Sequence, residues 1–177
     1  MNNQEKKQAI SPAVKKLQEY RNTVLELYNF TDLQITAIIS QYYMGELDEK
    51  FVSNVLYASS MTSSGRIGIL REILKETGLY NKKLIENLEN MAKIRNYFAH
   101  GSYIFSLLGA VIGIAYGVKV ETKDISIFNP KHLSKPEEKF DCEKEYNKFT
   151  IYAKNAGEAL NDILGKITKL SPNKKTK

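Results

Sequence analysis

Residues 81–100 read NKKLIENLENMAKIRNYFAH and have the most regular helical spacing in the chain. At about 100° per residue, four apolar side chains of this stretch fall within about 40° of one line along a helix and form a stripe. The stripe consists of Leu84, Leu88, Met91 and Phe98, flanked by Ile85, Ala92 and Ala99. The spacing predicts an amphipathic helix from about Asn81 to His100, and a fold in which helices bury such stripes against one another.

Arg95 lies in the middle of this stripe, about 20° from Leu84 around the helix. A guanidinium does not release its proton in proteins, and burying one without a partner costs several kcal/mol. Arg95 is therefore expected to have a counter-anion, a polar interface or a ligand. The alternative is that its aliphatic arm crosses the apolar surface while its head reaches water.

Asn96 and His100 are four residues apart and therefore share one face of the predicted helix. His100 falls in the last turn, ahead of Gly101 as the predicted C-cap. The negative end of the helix dipole favours a protonated imidazole, and histidine titrates near neutral pH. His100 is thus placed for proton transfer, and a helix-capping role is the alternative.

The rest of the first hundred residues also reads as consecutive helices. The first helix is predicted after Ser11-Pro12. This is a favourable start because proline is tolerated in the first turn of a helix. A second is predicted to begin at Thr31 or Asp32, either of which can cap it, and to end at Gly45.

Three further helices complete this pattern. Asp48 is predicted to open the helix DEKFVSNVLYAS, residues 48–59. The next helix is RIGILREILKETG, residues 66–78, which follows the polar stretch TSSG and stops at Gly78. A last helix, about 137–169, follows Pro136, and Gly157 is a point at which it could be interrupted.

The run IFSLLGAVIGIAYGV, residues 104–118, is apolar and has glycines at every fourth position from Gly109. This spacing satisfies a pattern of packed membrane helices, but a helix of this length rises only about 22 Å against a hydrocarbon core of about 30 Å. A β-hairpin insertion at about 104–130 is favoured instead, with AYGVKV and ISIF as strands around the turn ETKD. The predicted fold class is mainly α, a helical bundle of about five to six helices with this small insertion after the 81–100 helix.

Length and charge favour a single helical domain, 11–170, with a flexible basic N-terminus, 1–10, and a disordered basic tail, 171–177. The formal charge of +6 is concentrated near the two ends, so that residues 17–164 hold 17 basic and 19 acidic residues. Specific binding of a nucleic acid would therefore need a local patch, and residues 61–100 hold seven basic residues and four acidic ones.

The small number of cysteines and histidines limits the possible chemistry. Cys142 is the single cysteine, so there is no disulfide framework, and a buried or bystander thiol is expected there. The N-terminus has no apolar signal segment, which predicts a cytoplasmic protein. The histidines are His100 and His132, and neither an HExxH nor a paired CxxC motif is present, so no metal or other cofactor is expected.

The residues from Arg95 to His100, RNYFAH, form the pattern R-N-x-x-x-H. This pattern resembles the signature of HEPN domains, the helical-bundle family of many prokaryotic RNase toxins. In that family the motif lies toward the end of a late helix, as the spacing predicts here. The segment IRNYFAH is also similar to the corresponding segment of mannitol-operon-repressor-type proteins, which are viewed as regulators.

The HEPN resemblance implies a metal-independent endoribonuclease, a toxin or phage-defence effector, that acts on RNA as a homodimer with motifs from both protomers in one cleft. His100 would transfer a proton at the ribose 2′-hydroxyl or the leaving oxygen, Arg95 would bind the scissile phosphate, and Asn96 would orient one of the two. A cognate antitoxin or a defence-system protein is a further expected partner. No association with a membrane is expected.

Other residues would extend the RNA contact. Tyr97 or Tyr103 would stack on a base, with plain packing as the alternative, and Tyr103 follows His100 by three places where toxin relatives commonly have a tyrosine after two. Arg66, Arg71 and Lys93 would continue the phosphate track, with solvated helix faces as the alternative. The competing function is a non-catalytic regulatory or nucleotide-binding module in which the motif ties helices together.

Overall fold

The computed structural model describes residues 12–100, 126–127 and 140–170, and in this part of the chain it is mainly helical. The five α-helices described are α1 (Pro12–Met44), α2 (Glu49–Phe51), α3 (Ser63–Glu76), α4 (Lys82–His100) and α5 (Cys142–Leu170). A π-helix, Val52–Leu56, continues α2. The predicted ends 1–10 and 171–177, the apolar run 104–118, Tyr103 and His132 lie outside the described residues.

α1 is one helix of 33 residues, where the sequence predicted two. The break expected at Thr31 or Asp32 is absent. The Thr31 hydroxyl donates to the Leu27 carbonyl at 2.9 Å, so it bonds back to its own helix and does not cap a new one. The Asp32 carboxylate is occupied by an arginine from α3, described below. The predicted end at Gly45 is confirmed, since this glycine has φ of 79°.

Asp48 opens the next helix as predicted, because its carboxylate accepts from the Phe51 amide at 2.7 Å. The predicted α-helix over 48–59 is replaced after Phe51 by the π-helix. There the Tyr57 amide donates to the Val52 carbonyl at 2.9 Å, five residues back. Single turns of this kind are rare.

α3 begins three residues before the predicted RIGIL stretch, because the Thr62 hydroxyl accepts from the Gly65 amide at 3.1 Å. Its predicted stop at Gly78 is confirmed. Gly78 has φ of 69°, and the Leu79 amide donates to the Leu74 carbonyl at 2.8 Å, which is the bonding pattern of a Schellman motif.

α4 matches the predicted helix, with the Asn81 side chain accepting from the Leu84 amide at 3.1 Å. Its apolar stripe is buried as predicted, and the buried side is wider than the stripe because it also includes Asn87 and Ile94. The buried apolar residues of α4 are Leu84, Ile85, Leu88, Met91, Ile94 and Phe98.

α5 begins five residues later than predicted, at Cys142, and is continuous through Gly157. Its start follows from Asp141, whose carboxylate accepts from the Lys144 amide at 3.0 Å. Cys142 is a buried thiol, as the sequence predicted.

The predicted β-hairpin insertion is not seen in the part of the chain that the structure describes, which includes only Ser126 and Ile127 of the range 104–130. Ser126–Ile127 pair in antiparallel fashion with Phe140–Asp141, a ladder of two residues on each side. Ser126 and Ile127 belong to the predicted strand ISIF, but their described partner comes from just before α5. The segment AYGVKV, the expected partner, lies outside the described residues.

The chain divides into two compact units. The first unit comprises Met1–Glu26 and Ile94–Phe149, and the second comprises Leu27–Lys93 and Thr150–Lys177. α1, α4 and α5 therefore each contribute residues to both. The described core of the first unit contains Leu17, Tyr20, Val24, Ile94, Phe98, Cys142 and Phe149. In the second unit, apolar residues of α1, α3, α4 and α5 form the core.

Candidate functional site

Arg95 is half-buried on α4 and lies near the middle of the helix's buried side. Its Nε atom is buried, whereas Nη1 donates to the Asn96 side-chain oxygen at 3.2 Å in an exposed hydrogen bond. The aliphatic arm therefore runs along the apolar side of α4, and one end of the guanidinium is at the surface. Asn96 was expected to orient either Arg95 or His100, and the structure shows its hydrogen bond with Arg95.

His100 is the last residue of α4, so the motif RNYFAH forms the C-terminal end of this helix. The structure describes the backbone of His100 but not its side chain. Around a regular helix Arg95 and His100 are separated by about 140°.

Arg21 contacts the backbone of this part of α4. Its Nε donates to the carbonyl oxygen of Phe98 at 3.2 Å in a partly buried hydrogen bond. The two residues are 77 positions apart. Phe98 itself is 1% exposed, so its side chain is packed in the core of the first unit. A cation at the carbonyl end of a helix also interacts favourably with the helix dipole. Arg21 was not among the residues predicted from the sequence.

The segment of α1 around Arg21 is tied to the start of α5. The rings of Tyr20 and Tyr146 stack with centroids 4.1 Å apart and planes 16° apart. Lys16 donates to the Glu143 carboxylate at 3.1 Å. Its side-chain hydrogen bonds, first with Tyr20 and then with Glu143, raise the pKa of the Lys16 ammonium above its ordinary value.

The other predicted RNA-contact residues are spread over both units. Tyr97 is half-buried in the first unit. Lys93 is exposed in the second unit. Arg71, also in the second unit, forms an ion pair with Glu89 at the surface. The structure therefore does not establish one continuous basic track through these residues.

Arg66 lies in the interior, which corrects both interpretations of it from the sequence, since each placed its head in solvent. It is 5% exposed and forms a two-point ion pair with Asp32, with Nε to Oδ1 at 3.0 Å and Nη2 to Oδ2 at 2.7 Å. Nη1 donates to the Leu56 carbonyl at 2.7 Å, at the end of the π-helix. The guanidinium also lies 4.7 Å from the centre of the Tyr57 ring. Arg66 therefore has a structural role and is not part of the candidate site.

A cavity of about 500 Å³ is present in the second unit, between the start of α4 and α5. Its polar lining includes Tyr80, Lys82, Lys83 and Lys166. Lys166 is paired with Asp162 at 2.6 Å. No residue of the motif RNYFAH is among the residues that line this cavity.

No group of three or more histidine, cysteine, aspartate or glutamate side chains that could hold a metal ion is found among the described residues. Within the same residues, no helix has the length and apolar character needed to cross a membrane. Comparisons with protein-family models, curated proteins and solved structures found no match. The resemblance to HEPN domains accordingly stays a prediction from the motif RNYFAH.

Proposed function

We propose that this protein is a metal-independent endoribonuclease of the HEPN type, a toxin or phage-defence effector that cleaves RNA at a composite site of a homodimer. The observation that supports this most directly is the position of Arg95. Its arm is packed on the buried side of α4 and its Nη1 is held at the surface by Asn96, next to the helix end that His100 occupies. A charge fixed in this way suits the binding of a phosphate.

In the proposed reaction the ribose 2′-oxygen attacks the adjacent phosphorus while the bond from phosphorus to the 5′-oxygen breaks. A neutral His100 imidazole accepts the proton of the 2′-hydroxyl, and a protonated imidazole donates a proton to the departing 5′-oxygen. The products are a 2′,3′-cyclic phosphate and a 5′-hydroxyl. Proton transfer by positioned groups contributes about 10²- to 10⁴-fold to such reactions.

Arg95 would stabilise the negative charge that develops on the non-bridging phosphate oxygens in the transition state. Asn96, which accepts from Nη1, would keep the guanidinium in one orientation. Because Arg95 and His100 are about 140° apart around one helix, a single α4 does not direct both at one phosphate. A second copy of the chain would bring its own helix end to the same cleft, which is why the proposal includes a homodimer.

The test is incubation of the full-length protein with total RNA in EDTA. We expect cleavage that leaves 2′,3′-cyclic phosphate ends, and its loss in His100→Ala. Arg95→Met should retain the apolar arm but lower the cleavage rate by at least about 10²-fold, the usual effect of removing one transition-state hydrogen-bond donor. Lys75→Met, which removes an exposed basic side chain from α3, is the matched control and should cleave at nearly the wild-type rate. Intact RNA with the wild-type protein would refute the proposal.

The second candidate is a non-catalytic regulatory or nucleotide-binding module. It is favoured by the burial of Arg95 Nε, which is compatible with a purely structural use of the motif. Under this alternative, Arg95→Met and His100→Ala would lower the melting temperature or dissociate the dimer. Under the ribonuclease proposal both variants keep the wild-type melting temperature within a few degrees, because substitutions in catalytic residues often leave stability unchanged.

A further inference from the structure

We infer that two copies of this chain associate through an exposed apolar stripe of α1, as an antiparallel pair of helices centred on Ala37. This α1 stripe consists of Phe30, Leu33, Ala37 and Met44, all of which belong to the second unit. At about 100° per residue, the four positions lie within about 30° of one line along the helix. The proposed function includes a homodimer but names no surface for it, and the inference can be tested without RNA.

The α1 stripe is exposed although its residues are apolar. Phe30, Leu33 and Met44 are 59%, 56% and 45% exposed, and Ala37 is half-buried. Single exposed apolar side chains are common, whereas a contiguous row of them indicates an interaction surface. The steps of three, four and seven residues along the row are those of a helix face that packs against a second helix.

The contacts of α1 within the second unit lie on either side of the stripe. On one side the Gln34 amide donates to the Asn161 side chain of α5 at 2.8 Å. On the other side the Thr36 and Tyr57 hydroxyls are 3.5 Å apart, just after the π-helix. Around the helix the stripe falls between Gln34 and Thr36, so these neighbours form its two edges.

Leu47 extends the stripe at its C-terminal end. It is 63% exposed and lies in the loop that follows Gly45. The Ser40 hydroxyl donates to the Glu46 carbonyl at 2.8 Å and accepts from the Asp48 amide at 2.9 Å, so both neighbours of Leu47 are tied to α1. A loop that is already fixed loses little conformational freedom on association, which favours binding.

The uncharged character of the stripe suits a second copy of the same chain. Asp32 is the single charged residue between positions 27 and 44, and it is buried in its ion pair with Arg66. A nucleic acid binds through basic residues, and this stretch has none. Two uncharged stripes meet without repulsion between like charges, and their contact removes apolar surface of both copies from water.

The order of residues along the stripe is self-complementary. In an antiparallel pair centred on Ala37, Phe30 of one copy is opposite Met44 of the other, because each is seven residues from the centre. This contact occurs twice, and a methionine sulfur beside an aromatic ring is favourable. The small side chain of Ala37 at the two-fold axis allows the helices to approach to about 8 Å between their axes.

The exposed area suits a modest interface. A large side chain such as phenylalanine buries roughly 150–250 Å² when it is fully covered. Because Phe30, Leu33, Met44 and Leu47 are each about half exposed, they offer roughly 400 Å² per copy. With the edge residues, two copies would bury about 1,000 Å², which is near the lower limit of a specific interface. We therefore expect a dimer of micromolar affinity.

The experiment is sedimentation equilibrium of the full-length protein across the micromolar concentration range, which should show a monomer–dimer equilibrium. Leu33→Glu should raise the dissociation constant at least about 30-fold, because it places a charge in the centre of the interface. The matched control is Ile151→Glu on α5, since Ile151 is 60% exposed in the same unit but is not part of the stripe. This control should change the constant less than about threefold.

Paired charges test the antiparallel register. Phe30→Lys and Met44→Glu should each dimerise weakly alone, and their equimolar mixture should associate at least about tenfold more tightly, because the new lysine then faces the new glutamate. A mixture of Phe30→Lys with Phe30→Glu is the control, because position 30 does not face itself in this register. Tighter association in the control mixture would show a parallel arrangement and overturn the inference.

Two further results would overturn it. One is a wild-type protein that stays monomeric across the concentration range, which would mean that something other than a second copy covers the stripe. The other is a dimer that Leu33→Glu weakens no more than Ile151→Glu does. The melting temperature of each variant is measured alongside, and Phe30→Lys takes the place of Leu33→Glu if the latter fails to fold.

The outcomes for this inference and for the proposed function are distinct. A dimer through the stripe, with no RNA cleavage by the wild type, would remove the ribonuclease and leave the inference standing. Cleavage as fast in monomeric Leu33→Glu as in the wild type would overturn the composite site but keep the stripe as the interface. Cleavage by a dimer that the stripe substitutions leave unchanged would overturn the inference alone.

Discussion

Replacing Arg66 by methionine should destabilise the protein by about 3–5 kcal/mol, the usual cost of breaking a buried ion pair by removing one partner. The side chains of Arg66 and Asp32 are 6% and 11% exposed, and the substitution leaves the Asp32 carboxylate inside the protein with the Tyr57 hydroxyl at 3.3 Å as a remaining donor. The Leu56 carbonyl at the end of the π-helix loses a donor at the same time.

The matched control is Arg71→Met on the same helix. Arg71 and its partner Glu89 have side chains that are 34% and 46% exposed, and exposed ion pairs contribute about 0–1 kcal/mol. In a chain of this length each kcal/mol lowers the melting temperature by about 2–4 °C, so Arg66→Met should melt about 6–20 °C below the wild type and Arg71→Met less than about 4 °C below it.

Urea unfolding followed by circular dichroism at 222 nm measures both free energies. If Arg66→Met is too unstable to purify, Arg66→Lys retains the charge but not the two-point geometry and should be destabilised by about 1–3 kcal/mol. Adding Asp32→Leu to Arg66→Met should recover at least about 1 kcal/mol, because the stranded carboxylate is then gone. Losses within 1 kcal/mol of each other for Arg66→Met and Arg71→Met would refute this account of Arg66.

Of three smaller predictions, two concern glycine positions, one inside a helix and one at a helix end, and the third concerns a surface hydrogen bond. Gly157→Ala should stabilise the protein by about 0.5–1 kcal/mol in urea unfolding, because α5 is continuous at this position. An added Cβ would be 3.9 Å from Gln34 Oε1, which is an ordinary contact. A loss of stability would indicate a break in the helix. Gly78→Ala should cost about 1–2 kcal/mol in the same assay, because its φ of 69° is unfavourable for residues with a Cβ, and an unchanged midpoint would contradict this. The hydrogen bond to Glu76 raises the pKa of Tyr42 above 10.0, so the contact stabilises the folded protein below about pH 10 and is lost as the pH rises through the raised pKa. The difference in stability between the wild type and Tyr42→Phe should therefore shrink between about pH 9 and pH 12, and a difference that grows over this range would contradict the assignment.

The helix ends that the sequence predicted correctly are those with a local chemical cause. Gly45 and Gly78 adopt left-handed backbone conformations that favour glycine, and Asp48 caps the next helix with its own carboxylate. Each signal operates within four residues and needs nothing from the rest of the fold. The motif RNYFAH was also placed correctly at a helix end, because the period of the apolar residues is itself local.

The errors have a different cause, which is contact between distant residues. Asp32 was expected to cap a helix, but it is paired with Arg66, 34 residues away, and α1 runs on without a break. A clue was present in the sequence, because Asp32 is the single charged residue between positions 27 and 44, and Arg66 falls on the apolar side of α3 with Leu70 and Ile73. A single acidic residue among apolar residues and an arginine on an apolar stripe each need a partner of opposite charge, so together they indicate an ion pair.

Arg21 had no comparable signal. Its bond to Phe98 joins a side chain to a backbone carbonyl, and a carbonyl is present at every position, so residue types do not mark the partner. Which of the chain's basic residues reaches this carbonyl depends on tertiary packing, which the sequence does not show directly.

Arg66 and Arg95 each lie on the buried side of a helix, so each carries a charge that needs a polar environment. The surroundings of the two side chains differ. Arg66 is buried and held by a carboxylate at 2.7 Å, so its charge is neutralised inside the protein. Arg95 is half-buried, and one of its interactions is an exposed hydrogen bond from Nη1 to the Asn96 side-chain oxygen. The same substitution should therefore give opposite results: Arg66→Met unfolds at much lower urea concentration than the wild type, whereas Arg95→Met keeps its midpoint and loses RNA cleavage. If Arg95→Met shifts the urea midpoint as far as Arg66→Met does, Arg95 is a structural residue, and the helix-tying alternative accounts better for the motif.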